Sequence, residues 1–310
     1  MKYNGLVSVV MPVHNGEKFL SEAIESVLKQ TYTNFELLVI ENCSSDKSVE
    51  IIKLYKDTRI KLIIEKDCGQ IQAYNRGFKE ANGELIFIHD QDDISSPERF
   101  EKQIKCMIEN DVDICGSSFS LIDKSAKIVG EIINPTTNQR IKEELLYKNS
   151  IIFNSTVCIR KSVFEKIGYF DVQFFPSADY EFYLRGLDFF RYGNVLDVLY
   201  FWRRHREQIS NRYLRETSQK TIDISLNYLK KYHPSHKHFY TGLVYYYNNK
   251  LIKAILSFVK SFYYGESNPK LVRYLFICIV FGPILKIFRR YHLTHSKFFV
   301  FVKKWLNKIF

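Results

Sequence analysis

The sequence predicts an α/β protein: a mostly parallel sheet flanked by helices, followed by a C-terminal helical region. Three observations carry that expectation. Short apolar runs rich in β-branched residues alternate with amphipathic segments from the N-terminus onward. The apolar runs are continuous, as strands covered on both faces must be. Polar and acidic groups recur just after them, where open parallel sheets bind ligands.

The elements follow in order. Leu6 to Met11 is a β-branched run ending at Pro12, and Glu17 to Gln30 carries Phe19, Leu20, Ile24, Val27 and Leu28 at helical spacing. Phe35 to Ile40 is a second strand, leading through Glu41-Asn42-Cys43-Ser44-Ser45-Asp46 to a helix that runs to about Tyr55. Ile60 to Ile64 is a third, followed by Cys68-Gly69-Gln70 and a helix ending near Asn82-Gly83. Leu85 to Ile88 is the fourth. The groups at the strand ends are His14-Asn15, Glu41, Gly69-Gln70 and Asp90 to Asp93.

The last of these is the sharpest feature. His89-Asp90-Gln91-Asp92-Asp93 packs three acids into four residues, which repel one another and raise each other's pKa. A divalent cation shared with an anionic ligand relieves that repulsion, and hard oxygen ligands favour Mg²⁺ or Mn²⁺. The same residues also read as a solvated acidic turn before the helix that Pro97 announces.

Several stretches resemble family 2 of the glycosyltransferases: Val7-Ser8-Val9-Val10-Met11-Pro12-Val13-His14-Asn15-Gly16, Gln30-Thr31-Tyr32-Thr33-Asn34-Phe35-Glu36, and Asp92-Asp93 followed by Pro97-Glu98-Arg99. The resemblance covers residues 6 to about 210, with the motifs in the family's order. It implies the GT-A fold, a Rossmann-like nucleotide-sugar-binding architecture, and an inverting, metal-dependent transferase. Position by position, it implies that Pro12, His14 and Asn15 form the loop under the nucleotide base, with His14 where Tyr is usual. Glu41 falls where an Asp contacts the base imide; its longer side chain leaves the preferred base open. Gln70 and Asn75 would lie near the nucleotide, Asp92 on the ribose, and Asp93 on the metal that binds the diphosphate.

Downstream, Ile167-Gly168-Tyr169-Phe170-Asp171 and Ser177-Ala178-Asp179-Tyr180-Glu181 resemble the acceptor-side motif, with Asp179 at the catalytic-base position and Ala178 where Glu is frequent. Phe182, Leu184 and Leu187 predict that Asp179 begins a helix and faces a cleft as an exposed carboxylate; its structural alternative is an acidic residue stabilised by the helix dipole. Tyr200-Phe201-Trp202-Arg203-Arg204-His205 resembles the segment that places a His near metal and diphosphate, so His205 is expected as a metal ligand or as a solvated side chain.

Composition divides the 310 residues. The expected organisation is a catalytic domain over 1–212, with a nucleotide-sugar half to about 110 and an acceptor half beyond it, a helical extension over 213–266, and a tail over 267–310. Nine of the formal net charge of +11 sit in that tail, which has no Asp or Glu and is rich in aromatics. Its longest apolar stretch, Tyr274 to Leu285, contains Gly282-Pro283 and falls short of the about 20 residues of a spanning helix. Such a tail suits an anionic membrane surface; packing on the globule and a nucleic-acid surface are the other readings, and no nucleic acid is expected as a partner.

The six cysteines show no metal spacing and are expected as mostly buried thiols, with Cys43 and Cys68 near the nucleotide pocket. The start Met1-Lys2-Tyr3 enters a strand by Leu6, so a cytoplasmic protein, peripheral on the inner face of the membrane, is expected. The expected function is transfer of a sugar from a nucleotide-diphospho-sugar, taken as a UDP-sugar, to a glycan or lipid-linked glycan acceptor in surface polysaccharide, O-antigen or capsule synthesis. A silent binding module is disfavoured by Asp92, Asp93 and Asp179. A sugar nucleotidyltransferase is disfavoured because Met11 to Gly16 lacks a Gly-rich basic loop. A processive synthase is disfavoured because no Gln-x-x-Arg-Trp motif occurs.

Overall fold

The computed structural model describes residues 3–264 apart from 150 and 249, and residues 266, 270, 271 and 274. The chain separates into two compact units, one of residues 1–145 with 149–213, the other of 146–148 with the chain from Leu214.

The first unit is built on one sheet. Its elements are β1 Val7–Val13, α1 Leu20–Leu28, β2 Phe35–Asn42, α2 Ser48–Leu54, β3 Ile60–Glu65, α3 Gln70–Glu80, β4 Leu85–Ile88, β5 Ile94–Ser95, α4 Arg99–Glu109, β6 Ile114–Ile122, β7 Ile128–Ile132, α5 Asn138–Leu145, β8 Cys158–Arg160, α6 Lys161–Ile167, α7 Ala178–Arg185, β9 Tyr192–Arg203 and α8 Ile209–Arg212. The strand order is β3-β2-β1-β4-β8-β6-β9-β5, with β7 paired to β6. Strands β3, β2, β1 and β4 are mutually parallel, as the continuous apolar runs require. Beyond β4 the sheet is mixed: β8 is antiparallel to β4 and β6, β9 is parallel to β6, and β5 is antiparallel to β9. The parallel character expected from sequence is thus continuous only over β3, β2, β1 and β4, and recurs in the β6–β9 pair. The short strands β5 and β8 carry too little periodicity to declare their direction.

Helices cover both faces. Val7, Val9, Met11 and Val13 of β1 and Phe35, Leu37 and Val39 of β2 pack with Leu20, Ile24 and Val27 of α1, Ile52 of α2 and Phe100, Ile104 and Met107 of α4. On the opposite face α3 lies so close that a Cβ at Gly77 would stand 2.3 Å from Val10 Cγ1. Phe78 of α3 then stacks on Phe164 of α6 at 4.5 Å, and Phe164 on Phe182 of α7 at 5.3 Å.

Strand β1 runs through Pro12 rather than stopping before it. Val10 O accepts from His89 N, so the backbone groups of Val10 face β4. Pro12, two residues on, faces the same side beyond the end of β4 at Ile88, where its missing N–H costs no ladder bond. Strand order reverses at β1, with β2 on one side of it and β4 on the other, and the loops after β1, β2, β3 and β4 gather at this switch point.

The second unit contains α9 Leu214–Tyr232, α10 Lys237–Tyr247 and α11 Leu251–Tyr263. Chain breaks at His233-Pro234 and at Asn248 separate the helices. Glu266, the one acid after Asp223, accepts from the N–H groups of His238 and Phe239 and so caps α10. Ala254 and Phe258 of α11 are buried, while Ile252, Leu256 and Val259 leave 75%, 57% and 48% of their surface exposed. No helix among the described residues is long and apolar enough to cross a membrane. The basic tail over 267–310 lies outside the described residues, apart from isolated positions.

A test of the sheet packing follows from Gly83, between α3 and β4. A Cβ there would meet Ser8 N at 2.6 Å and Val7 C at 2.7 Å, both backbone atoms that cannot rotate away. Gly83→Ala is therefore expected to lower stability by about 1–3 kcal/mol in urea denaturation. A change within about 0.5 kcal/mol would contradict that packing.

Candidate active site

The acidic turn sits where β4 ends. Its first residue, Asp90, accepts from Tyr74 Oη and Ser155 Oγ, each at 2.5 Å, while its own N–H donates to Tyr200 Oη at 3.1 Å. Burial raises the Asp90 pKa, with a contribution from Asp92, and the Ser155 and Tyr74 hydroxyls oppose it. Asp92 is held by His205, whose Nε2 lies 2.7 Å from Asp92 Oδ2.

Asp93 is almost fully buried at 1% exposure, and its Oδ1 accepts the Arg203 N–H at 2.8 Å. Burial, then Asp92 and Asp90, push its pKa well above the ordinary carboxylate range; Arg203 N–H and the Tyr200 hydroxyl offset this in part. No donor in hydrogen-bonding geometry reaches Asp93 Oδ2. His205 Nδ1 is likewise buried without a hydrogen bond and lies 3.7 Å from Glu207 Oε2.

Two buried guanidinium groups stand behind this turn. Arg203, the last residue of β9, donates through Nε to Asp92 O at 2.8 Å and through Nη1 to Lys124 O at 3.1 Å. Its Nη2 pairs with Glu22 of α1, and its plane covers the Phe19 ring at 4.5 Å. Arg99, opening α4, donates to Gln103 Oε1 at 3.0 Å, Ser95 Oγ at 3.0 Å and Ile88 O at 2.8 Å. Burial lowers the Arg99 pKa to about 10, which still leaves it charged at neutral pH. His89 is the opposite case: burial, and then Arg99, bring it to about 3, so it is neutral and donates through Nδ1 to Asp90 O at 2.8 Å.

The loops after β1 and β2 are tied to the acid turn and to each other. His14 N donates to Gln91 Oε1 at 2.7 Å and Gln91 Nε2 returns a bond to His14 O at 2.9 Å. His14 Nδ1 donates to Asn42 O at 2.7 Å, and Asn15, in the left-handed region with φ 51°, accepts from Ser45 N at 2.8 Å. Glu41 is buried and its Oε1 accepts Ser44 N at 2.5 Å. Gln70 is half-buried at the start of α3. Asn75, expected near the nucleotide, is engaged by the backbone of Phe170. Its amide donates to Phe170 O at 2.8 Å and accepts from Phe170 N at 3.1 Å, so both ends clamp the segment leading to Asp171.

Asp179 lies in the first turn of α7, as its apolar followers predict. It is half-buried rather than exposed, and burial raises its pKa to about 6 against the pull of the Tyr180 and Asp179 backbone N–H groups; Asp90 adds to the rise. Burial raises the Tyr74 and Tyr183 pKa values, and both Asp90 and Asp179 add to the rise. Asp179 therefore shares one electrostatic environment with Asp90, although 89 positions separate them in the chain. Glu181, the neighbouring acid, is buried and paired with Arg185 at 3.2 Å.

The cysteine expectation is corrected. Cys43 and Cys68 form a disulfide with Cα atoms 5.8 Å apart, because the parallel pair β2 and β3 delivers both following loops to the same edge. Cys106, Cys115 and Cys158 are free thiols. Sequence reasoning did not assign roles to Arg99, Arg203, Tyr74, Ser155 or Tyr200. An Arg closing the apolar run Val198 to Trp202 was the one available signal.

The model of glycosyl transferase family 2 matches residues 8–168, more than half of the chain. An uncharacterised glycosyltransferase of Methanocaldococcus jannaschii is 32% identical over 291 residues, 91% of this chain and 92% of that protein. The chain belongs to glycosyl transferase family 2. The UDP-Glc:alpha-D-GlcNAc-diphosphoundecaprenol beta-1,3-glucosyltransferase WfgD of Escherichia coli is 35% identical over 180 residues, 58% of this chain and 68% of WfgD. The O-antigen biosynthesis glycosyltransferase WbnJ of Escherichia coli is 31% identical over 211 residues, covering 65% and 81%. In fold, the chain resembles Staphylococcus aureus TarS in complex with UDP-GlcNAc, with a TM-score of 0.62 over 87% of this chain and 83% of TarS at 17% identity. It also resembles the mannosyltransferase PcManGT of Pyrobaculum calidifontis in complex with GDP-Man and Mn²⁺, with a TM-score of 0.59 at 15% identity, covering 95% and 84%. At these identities the likeness shows the GT-A fold.

The donor set suits a hard divalent cation. Asp93 Oδ2 is an orphaned carboxyl oxygen beside two further acids, and His205 Nδ1 is an orphaned ring nitrogen. Among the described residues no group of three His, Cys, Asp or Glu side chains is arranged to hold a metal ion by itself. An open set is what Mg²⁺-like ions use when substrate phosphates complete their coordination.

Arg203 is expected to hold this turn together. Replacing it with Met leaves the Asp92 and Lys124 carbonyls and the Glu22 carboxylate without their partner, while the backbone N–H to Asp93 stays, and Arg203→Met should cost about 1–3 kcal/mol in chemical denaturation. Stability within about 0.5 kcal/mol of wild type would contradict that role.

Proposed function

We propose that the protein transfers a sugar from a nucleotide-diphospho-sugar, taken as a UDP-sugar, to a hydroxyl of a lipid-linked glycan with inversion at the anomeric carbon. The observation that carries this reading is the placement of Asp179, a carboxylate with a pKa near neutrality, in one electrostatic environment with the acidic turn. The names of WfgD and WbnJ support an acceptor of the lipid-linked, O-antigen type.

In this reading Pro12, His14, Asn15, Glu41 and Gln70 line the base side, Asp92 faces the ribose, and Asp93 with His205 holds Mn²⁺ or Mg²⁺. When bound, the cation stabilises negative charge on the diphosphate as a Lewis acid. The chain's own contribution is positional. Asp179 accepts the proton of the acceptor hydroxyl as its oxygen bonds to the anomeric carbon; the bond from that carbon to the diphosphate oxygen breaks, and the nucleoside diphosphate leaves with the electron pair. A single base on the face opposite the leaving group gives inversion, with a contribution of typically ~10² to 10⁴ in rate. Tyr74 and Ser155 orient Asp90, whose charge favours proton uptake by Asp179.

Donor binding is expected to need the cation and Asp93. Isothermal titration of UDP with and without Mn²⁺, on wild type and Asp93→Ala, should give tight binding only for wild type with metal; equal affinity in all four combinations would overturn the assignment.

Asp179→Asn should retain donor binding and lose at least ~10² in turnover. The base works ionised, and its raised pKa sets the sign of the pH dependence. In wild type kcat/KM should be flat above pH about 6 and fall as pH drops through about 6. Near wild-type turnover in Asp179→Asn would place the base elsewhere.

We infer further that the enzyme works at the inner face of the cell membrane. The nine basic residues of the tail support this, and so does the exposed Ile252, Leu256 and Val259 stripe of α11 beside Lys253 and Lys260. Each basic residue near an anionic surface contributes about 1 kcal/mol, screened within a Debye length. Full-length protein should sediment with anionic liposomes at low salt and less at high salt. A folded protein that ignores such liposomes at low salt would contradict the membrane reading.

A further inference from the structure

Two residues of the proposed donor site flank the loops after β2 and β3, Glu41 near the end of β2 and Gln70 at the start of α3. Glu41 lies two positions before Cys43, and Gln70 two positions after Cys68. The disulfide therefore joins these loops at their donor-facing ends, across a sequence separation of 25. Cys43 holds a left-handed backbone, φ 57°, a conformation that L-residues other than Gly adopt reluctantly. That turn brings Ser44 N back onto the Glu41 carboxylate at 2.5 Å. Asn42 ties the same two loops independently, donating to Asp67 O at 3.0 Å and accepting Gly69 N at 2.8 Å. Both cysteines are exposed.

We propose that Cys43 and Cys68 form a dithiol–disulfide latch that positions Glu41 and Gln70, so that the redox state of this pair sets the affinity for the nucleotide donor. The proposal rests on the donor-site reading above. Opening the latch is a two-electron exchange with an external dithiol. A thiolate attacks one exposed sulfur, the Cys43–Cys68 bond breaks through a mixed disulfide, each protein sulfur ends as a thiol, and the dithiol leaves as its own disulfide. Exposure of both cysteines favours access of a thiol to this bond, as in labile and regulatory disulfides. Because Asn42 keeps its two bonds across the loops, reduction loosens the pair without unfolding it. The freed Cys43 can leave the left-handed region, and Ser44 N–H then no longer fixes the Glu41 carboxylate. Loss of preorganisation on the base side weakens donor binding. The chemistry at Asp179 is untouched, since Asp179 is set by α7 and by the Tyr74, Tyr183 and Asp90 group.

The test uses the full chain in three forms: oxidised, reduced with dithiothreitol and desalted under anaerobic conditions, and Cys68→Ser. Hydrogen exchange over residues 41–46 and 66–70, without ligand, should be faster in the reduced and Cys68→Ser forms. UDP with Mn²⁺ should bind them at least about fivefold more weakly, and donor KM should rise similarly while kcat stays within about twofold. Equal protection and equal UDP affinity in oxidised and reduced protein would overturn the latch, as would a fall in kcat at unchanged KM. Complete alkylation of Cys43 and Cys68 without prior reduction would overturn it too. If protection changes with redox state but UDP binds none of the forms, the donor-site reading fails and the latch loses the role assigned to it.

Discussion

Three carboxylates in four residues at the buried end of β4 are the constraint around which the first unit is organised. Each is accommodated differently. Asp90 is held by two hydroxyls, Asp92 by His205, and Asp93 by one backbone N–H with its second oxygen left unpaired. Arg99 and Arg203 supply positive charge from behind, yet both spend most of their donors on carbonyls and neutral side chains. The positive charge present is thus fixed at the back of the turn. A buried unpaired acceptor costs about 1–3 kcal/mol, and more when it is charged. In the proposed mechanism this Asp93 oxygen, at a strand end under a ring of loops, is the one that a cation with an anionic ligand takes up.

The rest of the unit follows from holding that turn. The two-residue strand β5 catches the chain immediately after Asp93 and pairs it with Tyr200 and Phe201. Strand β9, 12 residues from Tyr192, delivers Arg203 and then His205 to the same point. Gln91, the one neutral residue between Asp90 and Asp93, bonds both the N–H and the carbonyl of His14 and so joins the acid turn to the loop after β1. On the other flank, Tyr74 and Ser155 link Asp90 to the environment of Asp179. Donor-side and acceptor-side chemistry are therefore coupled through one carboxylate, Asp90, that touches neither substrate in the proposed mechanism.

Much of this was legible in the chain. The parallel half of the sheet, the acid turn and the position of Asp179 at a helix start all come from apolar runs and the residues that end them. What sequence could not give was pairing between distant segments. Nothing local in Ile94-Ser95 or Cys158-Ile159-Arg160 specifies a partner, so the change to a mixed sheet was hidden. Asn75 reads as a polar group near a site, but only the fold shows that both ends of its amide are taken by Phe170. Cys43 and Cys68 lack any recognisable spacing, and they meet because β2 and β3 are neighbours. Arg203 sits among Trp and Phe in a run that reads as surface-basic, and its burial depends on Glu22, 181 positions away.

The central claim is that the unpaired oxygen of Asp93 is where a divalent cation meets the donor diphosphate. Crystals grown with UDP and Mn²⁺ and measured for anomalous scattering from manganese test it most directly. The account predicts a manganese peak bridging the Asp93 carboxylate and the diphosphate, with the uracil lying beside His14 and Glu41. A nucleotide bound in this cleft with manganese away from Asp93, or UDP seated elsewhere on the molecule, would contradict it.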